Sequence, residues 1–358
     1  MNVLVTGVGR YLGAQLAARL ADHPRVKRVI GVDTSPPTGA LADLLAGRVS
    51  VITTEWRGVI PAVTEGRIDA VAHMGVLSNP GRAGRAAMKE NNIIGTMQLL
   101  AACQATPRLR RLVVRSSTAA YGASFRDPAI FTESTPPTLM PRGGFAKDVI
   151  EVEGYVRGFT RRRPDVTTTV LRLAPFVGPN ADTTLTRYFS LPVVPTVFGR
   201  DPRLQFIHIE DALEVLVRSV VEDHRGTFNV AGPGVLLLSQ AIRRAGRIGF
   251  PVAEPGMSAF ATFVKASGIG DFSLDQLDLF VHGRVVDTSR LTNEFGFTPR
   301  STEEAFADFV HGRALHRAGA GAMLRPDAIS AVEAIVLDAV RGARSAMETK
   351  PKLEPAHD

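Results

Sequence analysis

The chain opens on NVLVT, where apolar side chains dominate without alternation, and passes at once into RYLGAQLAARLA, whose apolar positions return every three or four residues. The first pattern predicts a strand buried on both faces and the second an amphipathic helix. The pairing recurs. RVKRVIGVD, VSVIT and DAVAHM predict a second, third and fourth strand, and residues 83–105 carry a long helical pattern. LRRLVVRSS predicts a fifth strand, 144–162 a helix, and VTTTVLRL a sixth strand. Strands alternating with helices imply parallel β-α-β units and a doubly wound α/β sheet, with ligands at the carboxyl ends of the strands.

After about residue 175 the periodicity gives way to proline- and glycine-rich stretches, PFVGPN, SLPVVPTVFGRDPR and VAGPGV. The pattern predicts a nucleotide-binding domain over 1–175 and a smaller ligand-binding lobe over 176–320, interleaving with the first and laid over the mouth of the sheet. In 321–358 the segment DAISAVEAIVLDAVRGARS, 327–345, reads as an amphipathic helix, and the polar tail after it as disordered.

Composition adds exclusions. The chain has 358 residues, 45% of them apolar, so a sizeable core is expected. No run of about 18 uninterrupted apolar residues occurs, so no membrane span is expected. MNVLVTG enters a strand without a basic start and apolar plug, unlike a secretory signal. Cys103 is the only cysteine, which rules out a disulfide within the chain and makes the cytoplasm the expected compartment. The eight histidines are scattered, with no zinc-ligand spacing. The net charge of +7 concentrates at Arg108, Arg110 and Arg111, at 161–163, and at Arg243, Arg244 and Arg247. Such clusters suit an acidic partner or a solvated surface, and the second reading is preferred. Aromatic residues make up 6% of the chain and do not interleave with the clusters, so nucleic acid is not an expected partner.

Candidate chemistry begins at TGVGRYLG, Thr6 to Gly13, between the first strand and the first helix. Gly7 permits the tight turn and Gly13 lets helix and strand approach closely. The exposed helix start offers amide N–H groups and a partial positive charge to a pyrophosphate. The candidate dinucleotide contacts are therefore Gly7, Gly9, Arg10, Tyr11, Leu12 and Gly13. Asp33 ends the second strand, where a carboxylate accepts both hydroxyls of an adenosine ribose and repels a 2′-phosphate. Arg10 points the other way, since a guanidinium there suits a 2′-phosphate. The carboxylate decides the expectation in favour of NAD over NADP.

Together these stretches resemble the extended short-chain dehydrogenase/reductase family, which includes nucleotide-sugar epimerases and dehydratases, and most closely a bacterial NAD-dependent epimerase/dehydratase branch. TGVGRYLG resembles its glycine motif, with Arg10 where a glycine is usual. VAHMG, with His73, resembles the segment lining the cofactor, and NNIIGTMQLL the long helix with its asparagine at Asn92. RSSTAAYG resembles the segment whose catalytic serine falls on Ser117. LRLAPFVGP, RLQFIHIEDALEVL (with Arg203, His208 and Asp211) and VVDTSRLTNEFGFTP follow in the family's order. The resemblance implies a Rossmann-type sheet binding NAD(P), a nucleotide-sugar substrate contacted by Arg203 and His208, and Lys147 on the nicotinamide ribose. It also implies a homodimer through the helices of 83–105 and 144–162.

One element departs from the family. Its tyrosine stands four residues before the lysine, so that both lie on one helix face, and the phenol moves the proton. Here that position is Gly143, and none of Tyr11, Tyr121, Tyr155 and Tyr188 has a lysine four residues on. The conceivable replacements are Tyr121, read either as a catalytic phenol or as aromatic packing; His73 or His208, read as proton carriers or as a core histidine and a lobe contact; and a substrate group or water. Ser117 reads as an oxygen-positioning donor or as a strand-end cap. Two functions stay open: an oxidoreductase or epimerase acting on a nucleotide sugar with atypical acid–base residues, and a cofactor-loaded binding or regulatory protein without turnover.

Overall fold

Val3 and Val5 turn to one face of the opening strand and Leu4 to the other, and all three are fully buried, so the chain starts in the middle of a sheet covered on both sides. This computed structural model describes residues 1–79, 83–141, 144–191, 193–252 and 279–319. The order is β1 (Asn2–Thr6), α1 (Tyr11–Ala21), β2 (Arg28–Asp33), α2 (Ala40–Leu45), β3 (Ser50–Thr53), α3 (Val59–Glu65), β4 (Ala70–His73), α4 (Gly84–Gln104), β5 (Arg111–Ser117), α5 (Gly144–Arg162) and β6 (Thr167–Leu173). There follow β7 (Phe176–Val177), α6 (Thr184–Tyr188), β8 (Val193–Val197), β9 (Arg203–Leu204), β10 (Ile207–His208), α7 (Ile209–Val221) and β11 (Gly226–Val230). The described chain closes with β12 (Leu236–Leu237), α8 (Leu238–Arg244), β13 (Ile248–Val252), α9 (Ser289–Asn293) and α10 (Thr302–Gly319).

The large sheet has the order β11-β6-β5-β4-β1-β2-β3, and every pairing in it is parallel. The chain runs outward from β1 through β2 to β3, then returns to lay β4 on the other side of β1. That reversal opens a crevice at the carboxyl ends of β1 and β4, where open α/β sheets take ligands. One face is covered by α1 and α7, whose Leu16, Leu213 and Leu216 meet Val3 and Val5. On the other face Leu99 of α4 and Val152 and Phe159 of α5 share a cluster with Leu4 and Val71. Helices α4 and α5 lie side by side and leave Ile94, Met97 and Tyr155 exposed.

The strand β11 is the one strand of the large sheet that the sequence pattern did not predict. Its partner is β6, in the register Gly226 to Thr169 through Val230 to Leu173. The chain beyond residue 175 therefore serves two bodies of structure: α7, β11 and α9 pack with the large sheet, while other segments build a separate aromatic core. In that core Tyr188 stacks on Phe280 at 4.0 Å and Phe206 on Phe306 at 5.6 Å between ring centroids. Three two-stranded pairings, β7 with β10, β9 with β12 and β8 with β13, frame it. Residues 321–358, with the helix expected over 327–345, lie outside the described residues.

The basic clusters find partners on the surface. Arg108 meets Asp69, Arg111 meets Asp223, Arg163 meets Asp165, and Arg244 meets Glu303. No helix among the described residues is long and apolar enough to cross a membrane.

Candidate functional site

The turn after β1 is built by three glycines, each for a steric reason. Gly7 has φ +80°, and a Cβ on it would stand 2.9 Å from the backbone of Met74 and Gly75. A Cβ on Gly13 would stand 2.2 Å from the Gly7 carbonyl oxygen, so only glycine lets α1 start directly against the turn. A Cβ on Gly9 would crowd the Ser35 carbonyl and the Asp33 carboxylate. The first helical acceptor is the Arg10 carbonyl, taken by the Ala14 amide at 2.9 Å. The amides of Tyr11, Leu12 and Gly13 precede it and form the amide-rich N-terminus of an 11-residue helix. Leu12 contributes only its backbone there, because its side chain is buried in the core, and Tyr11 packs partly buried against the same core. Arg10 caps the helix with an extended backbone and an exposed side chain.

Asp33 sits at the end of β2, beside this turn. Its Oδ2 accepts the Gly9 amide at 2.8 Å, and its Oδ1 accepts the Ser35 amide at 3.3 Å. The carboxylate is thus fixed in orientation at the mouth of the crevice. This cradle, with no room for a side chain at Gly7 or Gly13, fits a dinucleotide whose diphosphate approaches the backbone closely.

His73 ends β4 and is fully buried between two hydroxyls. The Thr96 hydroxyl donates to the Asn92 carbonyl at 2.5 Å, so its oxygen accepts from His73 Nε2 at 2.9 Å. His73 Nδ1 then accepts from the Thr6 hydroxyl at 2.8 Å, whose oxygen in turn accepts the amides of Met74 and Gly75, both at 3.1 Å. Every proton in this chain is assigned with the imidazole neutral, and burial pushes its pKa down to about 4. The histidine is a strut that holds the β1 and β4 ends together beneath the crevice. It is not placed to carry a proton to a ligand near neutral pH.

Lys147 lies in the first turn of α5, half-buried, with no hydrogen-bond or ion-pair partner among the described residues. Its neighbour Asp148 is fully buried and bound by Arg85 of α4, with both oxygens at 2.5 Å, and by Asn92 Nδ2 at 2.9 Å. Asn92 also spans the Leu77 amide and carbonyl, at 2.7 and 2.9 Å. This net ties the loop after β4, α4 and the start of α5 into one register, so the rotation of α5 that sets the direction of Lys147 is fixed. Gly143 itself lies outside the described residues.

Ser117 ends β5, and its Oγ accepts the Ala119 amide at 3.1 Å, capping a short 3-10 turn over Thr118–Tyr121. Tyr121 is 1% exposed. Its hydroxyl donates to Asn229 Oδ1 at 2.7 Å and accepts from Arg172 Nη1 at 2.8 Å, while its ring stacks on Phe131 at 4.7 Å. Burial outweighs the nearby Arg172 charge and pushes the phenol above its ordinary value. Arg172 is in turn bidentate to Glu153 of α5, at 2.9 and 2.7 Å, and Ser116 donates to the same carboxylate at 2.5 Å. Tyr121 therefore belongs to a buried clamp between α5, β5, β6 and β11. Its hydroxyl is engaged there by Asn229 and Arg172.

The two residues expected to touch substrate part company. His208 is buried at the start of α7, where its Nδ1 accepts the Glu210 amide at 3.2 Å and meets the Arg300 guanidinium; burial and that charge push its pKa down. Arg203 is exposed, donates to the Ala129 carbonyl at 2.8 Å, and lines a cleft of about 380 Å³. Phe125, Asp127, Arg200, His282 and Arg284 stand around the same cleft. Its size and its arginines suit part of a phosphorylated ligand.

Residues that sequence reasoning passed over carry much of this site: Arg85 and Asp148 beside Lys147, Asn229 and Arg172 around Tyr121, and Arg115 on β5. Asp148 carried a signal, a carboxylate on the inward stripe of a helix, which must find a partner if buried.

The chain is 44% identical, over 317 residues covering 87% of it and 84% of the relative, to the uncharacterized protein Rv0501 of Mycobacterium tuberculosis strain H37Rv. Its fold is similar to that of UDP-glucose 4-epimerase from Thermotoga maritima solved with UDP-glucose (TM-score 0.67, 17% identity, 88% of this chain and 99% of that one). It is similar also to MoeE5 in complex with UDP-glucose and NAD (TM-score 0.66, 18% identity, 88% and 99%). The model of the NAD dependent epimerase/dehydratase family matches residues 3–231, the stretch from β1 through β11 that builds the sheet and its crevice, and the chain belongs to that family.

Proposed function

We propose that this chain binds NAD(H) across the crevice at β1 and β4 and a nucleotide-sugar-like ligand in the adjoining lobe, without a side chain that replaces the family's tyrosine. The observation that carries the reading is the turn over Gly7–Gly13, closed to any Cβ and backed by the oriented Asp33 carboxylate. In it the α1 amides receive the diphosphate, Asp33 the adenosine ribose hydroxyls, and Lys147 the nicotinamide ribose. The bound nicotinamide supplies the capacity to accept and return a hydride. The ligand class is supported by family membership, by the sugar-nucleotide complexes of the structural neighbours, and by the arginines of the 380 Å³ cleft.

The proton is the missing part. Tyr121 and His73 have their polar atoms engaged in the fold's own networks, and His208 has Nδ1 so engaged while its Nε2 is buried without a hydrogen-bond partner among the described residues. That favours a cofactor-loaded binding role. The alternative of turnover draws on Lys147, which is unpaired among the described residues, with Ser117 at the end of β5; a ligand group or water would then move the proton. Mass spectrometry of small molecules released from the purified protein, followed by calorimetry of the stripped protein with NADH and NADPH, tests the reading. Release or uptake of a nicotinamide coenzyme is expected, with NADH the tighter of the two. No uptake of either coenzyme by folded, stripped protein would refute it. Sugar-nucleotide-dependent change in nicotinamide absorbance would decide for turnover.

A further inference from the structure

Arg115 has no counter-charge among the described residues. It lies near the carboxyl end of β5, two residues before Ser117, and its Nη1 donates to the Val76 carbonyl at 2.8 Å in the segment that follows β4. Among the described residues no carboxylate pairs with it. The charge that reaches it is that of Arg10, a second cation, and burial together with that repulsion pushes the Arg115 guanidinium down to about 10. Arg172 on the neighbouring strand shows the contrast: it is gripped by Glu153 and raised above its ordinary value. A partly buried cation beside another cation disfavours the ligand-free state and is relieved by an anion that both can reach.

The topology says where that anion lies. Strands β4 and β5 stand on one side of β1, and β2, which carries Asp33, stands on the other. Val76 follows Gly75, whose backbone stands 2.9 Å from where a Cβ on Gly7 would lie, so the guanidinium held on the Val76 carbonyl is beside the turn after β1, where Arg10 and the amide-rich start of α1 also lie. The adenosine 2′ position belongs at Asp33, on the opposite side. We infer that Arg115, together with Arg10, closes on the diphosphate of the bound dinucleotide, and that this contact strengthens NAD(H) and NADP(H) equally while Asp33 alone sets the preference between them. The inference rests on the dinucleotide reading given above.

Calorimetric titration of the full chain with ADP-ribose, NADH and NADPH tests it, on the parent protein and on Arg115→Met and Arg115→Lys. Loss of a charge-assisted contact predicts that Arg115→Met weakens all three ligands by a common factor of about 10- to 100-fold. Arg115→Lys keeps a charge but cannot both hold the Val76 carbonyl and reach the diphosphate, so a smaller loss, about 3- to 10-fold, is expected. Ligand-free Arg115→Met is expected to melt at or above the parent temperature, because an uncompensated charge has been removed. ADP-ribose affinity within about twofold of the parent in the variants, a loss confined to NADPH, or a lowered ligand-free melting temperature would each overturn the inference. If Arg115→Met does not fold, the removal of the charge has damaged the structure and the inference falls with it. Failure of the parent itself to bind any of the three would instead overturn the dinucleotide reading.

Discussion

Replacing His73 with glutamine should flatten the acid side of the protein's stability profile. The folded-state pKa, about 4, lies below the unfolded value of about 6.5, so the native state prefers the neutral ring. The stability tied to that neutrality is fully present above about pH 6.5, falls as pH drops, and levels off below about pH 4. The whole gap corresponds to about 3 kcal/mol, of which about 2 kcal/mol is lost between about pH 7.5 and pH 5. The cause is on view: both ring nitrogens are engaged, at 2.8 and 2.9 Å, in a site with no water access. Protonation would force Nδ1 to donate toward Thr6, whose oxygen already accepts two amides. Urea unfolding at the two pH values, for parent and variant, reads the difference directly. The variant should be less stable at neutral pH by about 1–3 kcal/mol, having lost part of the strut. Its loss on acidification should be about 2 kcal/mol smaller than the parent's. An identical pH dependence in both proteins would show that His73 is not the titrating strut.

Other substitutions separate structural from ligand roles. Gly13→Ala should destabilise the fold by about 1–3 kcal/mol, since the new methyl must displace the Gly7 carbonyl, and should abolish NADH binding; thermal melts and calorimetry check both. Asp33→Ala should narrow or reverse the preference for NADH over NADPH in parallel titrations, and an unchanged ratio would refute its role. Tyr121→Phe should cost about 1–3 kcal/mol of stability by leaving Asn229 Oδ1 without its donor, yet leave NADH affinity unchanged; a selective loss of binding would return Tyr121 to the site. Lys147→Met should weaken NADH while leaving stability within about 0.5 kcal/mol, as expected for a side chain without partners among the described residues.

The first six strands of the sheet were legible because each is a short apolar run beside a helical period, and both signals are local. The glycine turn was legible for the same reason. β11 was not: GTFNV is five residues long, lies between HR and AGPG, and owes its place to β6 rather than to its own pattern. The surroundings of the acid–base candidates were set by residues far away in sequence. His73 is defined by Thr6, 67 positions before it, and by Thr96, 23 after; Tyr121 is defined by Asn229, 108 positions later. Arg203 and His208 stand close in sequence but on separate short strands, one exposed and one buried. Spacing reports a residue's neighbours on one element. It carries no information about which distant hydroxyl or amide will saturate a polar atom.

The late arrival of β11 has a consequence for synthesis on the ribosome. The glycine turn, Asp33, His73 and Ser117 are all in place once β5 has been made, whereas β6 keeps a bare edge of amides and carbonyls until Val230 has left the exit tunnel. The half that cradles the coenzyme can thus assemble while the opposite margin is still an open template for wrong partners. A nascent chain halted between the two strands would expose that hazard most fully.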